Sequence, residues 1–281
     1  MNKKSDEFRI QEGLREVAGL CLLHDSLMKL VFNNNIEATE LLLNTILARE
    51  DLQVINVSTQ RTFISPSVNG RTIVIDIYAK DAEDKVYNVE VQRSDSGADV
   101  RRARFHSSMM DVNMLEAGQS FSELHDSYVI FITENDVMKR NLPLYHVNRV
   151  IEELGEGFYD GSHIIYVNAA YKDDKHPVGR LMHDFRCTDT KDMYNEVLAQ
   201  QVRYFKESEG GKENMVCKFE ELAKEWGADM AQDMAQDMAQ ERILEKARRA
   251  LATGKYSPEE IAELFEIAME ELLEEESLQS V

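Results

Sequence analysis

Asp76 ends the apolar run Ile73-Val74-Ile75 and is followed by Ile77, so an ionisable side chain stands where a strand former belongs. Further along, Glu90 and Gln92 alternate with Val89 and Val91 in the stretch VYNVEVQ. If these two segments are neighbouring antiparallel strands, Asp76 and Glu90 can face each other with Cβ atoms about 5 Å apart, where like charges repel. A divalent cation converts that repulsion into coordination, because Mg²⁺ is held by one or two carboxylates together with water and phosphate oxygens. The chemistry open to such a pair is that of a metal site working on phosphate. The alternation of Asn88, Glu90 and Gln92 with Tyr87, Val89 and Val91 also fits an ordinary half-exposed strand.

The elements that must position these groups can be read on either side of them. LQVINVSTQRTFI, residues 52–64, has strand composition, and Asn69-Gly70 supplies a two-residue turn that returns TIVIDIYA antiparallel. VYNVEVQ follows a polar loop at Ala82, Glu83 and Asp84. Setting Asp76 opposite Glu90 pairs Tyr78 with Asn88 and Val74 with Gln92, a register that a three- or five-residue loop with a bulge permits. Residues 25–48 carry helical apolar faces, interrupted at Asn33-Asn34-Asn35. Residues 98–117 fit a helix closed by Gly118, and DSYVIFIT (126–133) and HIIYVNA (163–169) fit further strands. Helix, three-strand meander, helix and strand together predict an α/β domain with a mixed central sheet flanked by helices.

Asp76, Glu90 and Gln92, split between two strands and followed by a helix bearing Arg102, resemble the PD-(D/E)XK nuclease superfamily. The resemblance is closest to the bacterial recombination-promoting nucleases, the PD-(D/E)XK nuclease family transposases, in which Gln replaces the usual Lys. HDSLMKLVF (24–32) is similar to that group's D-x-x-F-K-x-x-F opening, and IDIYAKDAEDKVYNVEVQ (75–92) and RRARFHSSMM (101–110) extend the likeness over roughly residues 24–170. Met28 stands where an aromatic is usual, His106 where Tyr is common, and no Pro precedes Asp76.

The resemblance implies a restriction-endonuclease-like core and hydrolysis of DNA phosphodiester bonds with Mg²⁺ or Mn²⁺. Asp76, Glu90 and the backbone carbonyl of Val91 would be the metal ligands, and Gln92 would orient the attacking water. A neutral amide brings none of the positive charge of a Lys, so Arg102 is the candidate for stabilising charge on the phosphate. The family's acid matching Asp25 lies near the metal, although Asp25 also suits a helix N-cap before SLMKLVF. Lys29 reaches phosphate or is solvated, and His24 and His106 read as surface or packing residues. An RNA substrate is not separable from DNA on these residues. The alternative to an enzyme is a non-catalytic interaction protein on a nuclease-like scaffold.

Charge and motifs exclude other classes. The net charge of −20 argues against coating nucleic acid by bulk electrostatics, although Arg93, Arg101, Arg102 and Arg104 form one basic cluster diluted by Asp95 and Asp99. There is no GxxxxGK[ST], no GxGxxG after a strand, no GxSxG, and no HExxH or HxxxH pair among the seven histidines. Cys21, Cys187 and Cys217 are far apart and odd in number, which points to reduced thiols rather than a disulfide framework or a paired metal motif. No apolar run approaches the roughly 18 residues of a membrane span, and the start MNKKSDEFRIQEG has no apolar signal segment, so a cytoplasmic protein is expected.

Residues 20–190 are assigned to the nuclease-like domain and 191–281 to a helical, acidic C-terminal region. From residue 207 onward there are 20 Asp and Glu against 8 Lys and Arg, a net of −12. DMAQDMAQDMAQ (229–240) repeats every four residues, and Ser257-Pro258-Glu259-Glu260 combines an N-cap, a Pro at the first helical position and a capping-box Glu. Ile261, Leu264, Phe265, Ala268 and Leu272 then share one helix face. An acidic segment with an unpartnered apolar face predicts self-association into a homo-oligomer or regulation of access to the core, rather than separate DNA binding.

Overall fold

A computed structural model describes residues 19–65, 70–93 and 95–212, together with Ser257. The Asn69-Gly70 turn, the DMAQ repeats, Cys217 and the apolar face of 261–272 lie outside the described residues.

The interruption expected at the three asparagines separates α1 (Asp25–Phe32) from α2 (Ile36–Leu47). Asn34 takes φ +54°, and Asn35 serves both helices. Its Nδ2 donates to Val31 O (2.9 Å), and its Oδ1 accepts from Ala38 N as the N-cap of α2 (3.1 Å). The chain then forms β1 (Val54–Phe63), β2 (Ile73–Asp81) and β3 (Val86–Gln92), crosses through α3 (Val100–Met114), and returns as β4 (Ser127–Thr133). A short edge strand β5 (Leu144–Val147), a two-stranded ribbon β6 (Val150–Ile151) and β7 (Glu156–Gly157), and β8 (Ser162–Asn168) follow. Helices α4 (Pro177–Arg186) and α5 (Glu196–Glu207) complete the described chain.

The main sheet has the order β1-β2-β3-β4-β8-β5. β1, β2 and β3 form the antiparallel meander, β3, β4 and β8 run parallel, and β5 pairs antiparallel with β8. This is the α/β fold with a mixed central sheet and flanking helices that the sequence predicts. One core cluster joins Ala103, Met109 and Met110 of α3 to Ile75 of β2, Val129 and Phe131 of β4, and Tyr166 of β8. A second group of buried side chains comes from α1 (Leu27, Met28), α2 (Leu42, Leu43), α4 (Phe185) and α5 (Leu198). Met28, in the position where an aromatic is usual, is fully buried there.

Two boundaries differ from expectation. α3 ends at Met114 because Leu115 turns extended, and Gly118, at φ +95°, shapes the turn beyond instead of closing the helix. Asp25 is the first residue of α1 rather than its N-cap, a place taken by His24. A carboxylate there still favours the positive end of the helix.

Candidate active site

The β2–β3 hairpin has the register that sets Asp76 opposite Glu90. Its backbone ladder runs from Lys80↔Val86 to Ile77↔Val89 and stops one residue short of the two carboxylates. A three-residue loop, 82–84, closes the other end, with Asp84 at φ +64°. Asp81 clamps that loop, accepting from Glu83 N (2.9 Å), Lys85 N (2.9 Å) and the Tyr87 hydroxyl (2.7 Å).

Beyond Ile77 and Val89, side chains replace the ladder. Val91 N donates to Asp76 Oδ2 (3.0 Å), and Asp76 N donates to Glu90 Oε1 (3.4 Å). The opposite neighbour is irregular too. The β1–β2 ladder keeps its register from Thr59↔Ile77 to Arg61↔Ile75 but omits the pair between them, where Gln60, level with Asp76, has φ +56°. A left-handed non-glycine residue inside a strand is the mark of a local distortion that re-aims its neighbour. Gln92 O accepts from Glu134 N on the β4 side, so by the alternation of a strand the N–H and C=O of Val91 point toward β2. The Val91 carbonyl therefore faces the same opening as the two carboxylates.

Burial sets the electrostatics. Glu90 is 1 % exposed and Asn88 fully buried, so the polar face of β3 is an interior face, and the half-exposed-strand reading does not hold. Desolvation, then the charge of Asp25, pushes Asp76 up to about 6 against the relief given by the Val91 N–H. Glu90 is raised well above the usual carboxylate range by desolvation and by Asp76. Arg102 Nη2 lies 3.5 Å from Glu90 Oε2 and pulls in the other direction. Two desolvated carboxylates with a carbonyl on the same side suit a hard divalent cation, which would supply the charge this opening lacks.

The sequence reading brings Asp76, Glu90, Val91 and Arg102 together. Gln92 lies two residues beyond Glu90 on the same strand face, its amide packed against Gly97 of the 3₁₀ turn Asp95–Ala98, where any Cβ would collide with it. Asp25 stands at the margin, ion-paired with Lys29 (2.5 Å), and both act on Asp76 through their charges. Of the basic cluster, Arg93 is paired with Glu134 (3.3 Å). Arg101 and Arg102 join Arg71, Asp99, Phe105 and His106 in lining a cleft of about 620 Å³.

The sequence reading took His106 for a surface or packing residue. It is 3 % exposed, with Nδ1 3.0 Å from Asn88 Nδ2 and 3.6 Å from Glu90 Oε1. Desolvation, aided by Arg102 and Arg71, pushes it down to about 4, so the ring is neutral and accepts the Asn88 amide proton at Nδ1. The signal that could have found this pair is Asn88 itself, a third polar residue in register with Glu90 and Gln92 on a strand otherwise apolar.

A profile of the PD-(D/E)XK nuclease family transposases matches residues 22–247. The chain belongs to that family. Neither the comparison with curated proteins nor that with solved structures finds a match. The matched span includes every residue of the Asp76–Glu90 opening and of the cleft beside it.

Proposed function

We propose that the chain is a Mg²⁺- or Mn²⁺-dependent endonuclease that hydrolyses phosphodiester bonds in DNA. The observation that carries the proposal is the replacement of the β2–β3 ladder by the Asp76 and Glu90 carboxylates, which opens the sheet at two desolvated acids beside a cleft with three arginines. Asp76, Glu90 and the carbonyl of Val91 would hold the cation. When bound, it would polarise a phosphate oxygen and lower the pKa of a bound water toward neutrality. Gln92, on the same face as Glu90, orients the attacking water by hydrogen bonding, while Gly97 keeps its amide in place. Arg102 neutralises charge developing on the phosphate, and Arg71 and Arg101 draw the strand into the cleft. Asn88 and His106 fix the Glu90 carboxylate from behind, and Asp25 with Lys29 closes the margin.

Self-association through the C-terminal region, 191–281, and action in the cytoplasm belong to the same proposal. They rest on the apolar helix face of 261–272 and on a composition without a spanning segment; among the described residues no helix is long and apolar enough to cross a membrane.

The test is nicking of supercoiled DNA with and without Mg²⁺, alongside Asp76→Ala and Glu90→Ala chains of unchanged circular dichroism. Metal-dependent nicking should be lost in both variants. Cleavage by either variant at the wild-type rate would overturn the assignment of the site. A folded wild-type chain that cleaves nothing with any divalent ion would point instead to an interaction protein on this scaffold.

A further inference from the structure

A second group of metal-ligating side chains lies away from the Asp76–Glu90 opening, at the C-terminal end of α4. Among the described residues, His183, Asp184 and Cys187 are the one set of at least three His, Cys, Asp or Glu donors within 4.8 Å of one another. His183 Nδ1 is 3.4 Å from Cys187 Sγ and 3.4 Å from Asp184 Oδ1. Tetrahedral zinc, with bonds of about 2.0–2.3 Å, sets neighbouring ligand atoms about 3.3–3.6 Å apart. The two measured separations are therefore already edges of such a tetrahedron.

Asp184 is positioned by its surroundings. It is fully buried and accepts from Tyr194 N (2.7 Å), Asn195 N (2.8 Å) and Asn195 Nδ2 (2.6 Å). Of its roughly four acceptor sites one remains, on the Oδ1 that faces His183. Such outer contacts are what hold a ligating carboxylate in one orientation. His183 and Cys187 are only partly buried, so the group is open to an arriving ion.

The segment leading into α1 runs beside this group, tied to the end of α4 by Leu23 N donating to Phe185 O (3.1 Å). The sequence reading, which found no paired metal motif, did not anticipate the group.

We propose that His183, Asp184 and Cys187 bind one zinc-class divalent cation, with water completing the coordination. Thiolate and imidazole select such a metal over Mg²⁺, so this site and the carboxylate opening take different ions. The bound cation would fix the end of α4, whose Phe185 O accepts from Leu23 N just before α1, the helix that presents Asp25 and Lys29 to Asp76.

The test is Co²⁺ titration of the purified, chelator-treated full chain, followed by the sulfur-to-cobalt charge-transfer band and by competition with Zn²⁺. One equivalent of Co²⁺ with a one-thiolate band is expected. Cys187→Ser should abolish the band and His183→Gln should weaken binding at least tenfold, each leaving the metal-free circular dichroism unchanged. Asp76→Asn should bind Co²⁺ at this site as wild type does. A band that survives Cys187→Ser, or the absence of any stoichiometric band, would overturn the site. If Cys187→Ser fails to fold, the half-exposed His183→Gln variant decides the matter alone.

Discussion

Without a cation, the folded chain keeps the Asp76 carboxyl protonated up to about pH 6, whereas an unfolded Asp ionises near 3.8. A folded-state pKa raised above the unfolded one contributes stability that is complete below pH 3.8 and is lost as pH rises through 6. At pH 7.5 the ionised, desolvated Asp76 should therefore cost about 2–3 kcal/mol. Asp76→Asn keeps an oxygen for the Val91 N–H and removes the charge. In chelator, its melting temperature should match wild type at pH 4 and exceed it by on the order of 5 °C at pH 7.5. Mg²⁺ added at pH 7.5 should then raise the wild type and leave the variant where it is. Equal melting curves at both pH values would mean that Asp76 is not held desolvated against like charge.

At the same scale, the carboxylates were legible because each breaks a pattern: Asp76 interrupts an apolar run, and Glu90 has to pair with something across the turn. His106 was not legible, because its role depends on Asn88, which contacts it only once α3 has packed on the sheet. Asp25 was half legible. Its place at the start of α1 follows from residue type, but the reach of its charge to Asp76 is a property of how α1 lies beside β2.

Elements hold these groups through the hairpin, and the hairpin depends on Asp81. This carboxylate, 2 % exposed, satisfies two backbone N–H groups of the loop and the buried Tyr87 hydroxyl. Asp81→Ala orphans all three donors, which should destabilise the fold by about 2–4 kcal/mol and lower the melting temperature by on the order of 5–10 °C. Gly97→Ala tests the other side of the hairpin without touching its core. The added Cβ displaces the flexible end of Gln92 only, so the melting curve should stay within about 1 °C while nicking falls on the order of tenfold or more. A Gly97→Ala chain that cleaves normally would show that the resting place of the Gln92 amide has no part in the reaction.

The β2–β3 register was readable because apolar alternation and the short polar loop agree there, whereas the β1–β2 register, with Phe63 opposite Ile73, is not the one a two-residue turn at Asn69-Gly70 would set. The short edge strand β5, only four residues long and directly following Pro143, carries too little pattern to be seen. α4 did carry a helical signal, with Pro177 at its first position and Val178, Leu181, Met182 and Phe185 on one buried face. It was overlooked because its ten residues sit among polar loops. The distortion at Gln60 has no sequence cue at all, since nothing in STQRT favours a left-handed residue.

At the scale of the molecule, α5 belongs mechanically to the nuclease-like part although composition alone groups it with the C-terminal region. Leu198, Ala199 and Val202 are buried, with α5 packed on α1 and α2. The Lys206 ammonium donates to Leu20 O (2.5 Å) and Thr188 O (2.6 Å), joining the chain before α1 to the chain after α4. Burial of the two branched side chains contributes about 2 kcal/mol each. Truncation after residue 190 should therefore lower the melting temperature by on the order of 10 °C or prevent folding. Truncation after residue 212 should leave the melt within about 2 °C of the full chain while removing the apolar face of 261–272 and most of the excess negative charge. If that region assembles the protein, sedimentation of the 1–212 chain should report a monomer where the full chain reports a multiple. An unchanged assembly mass would place self-association on the folded part instead, and the acidic region would then act on access to the cleft, readable as faster nicking by the shortened chain at low salt, where its charge is least screened.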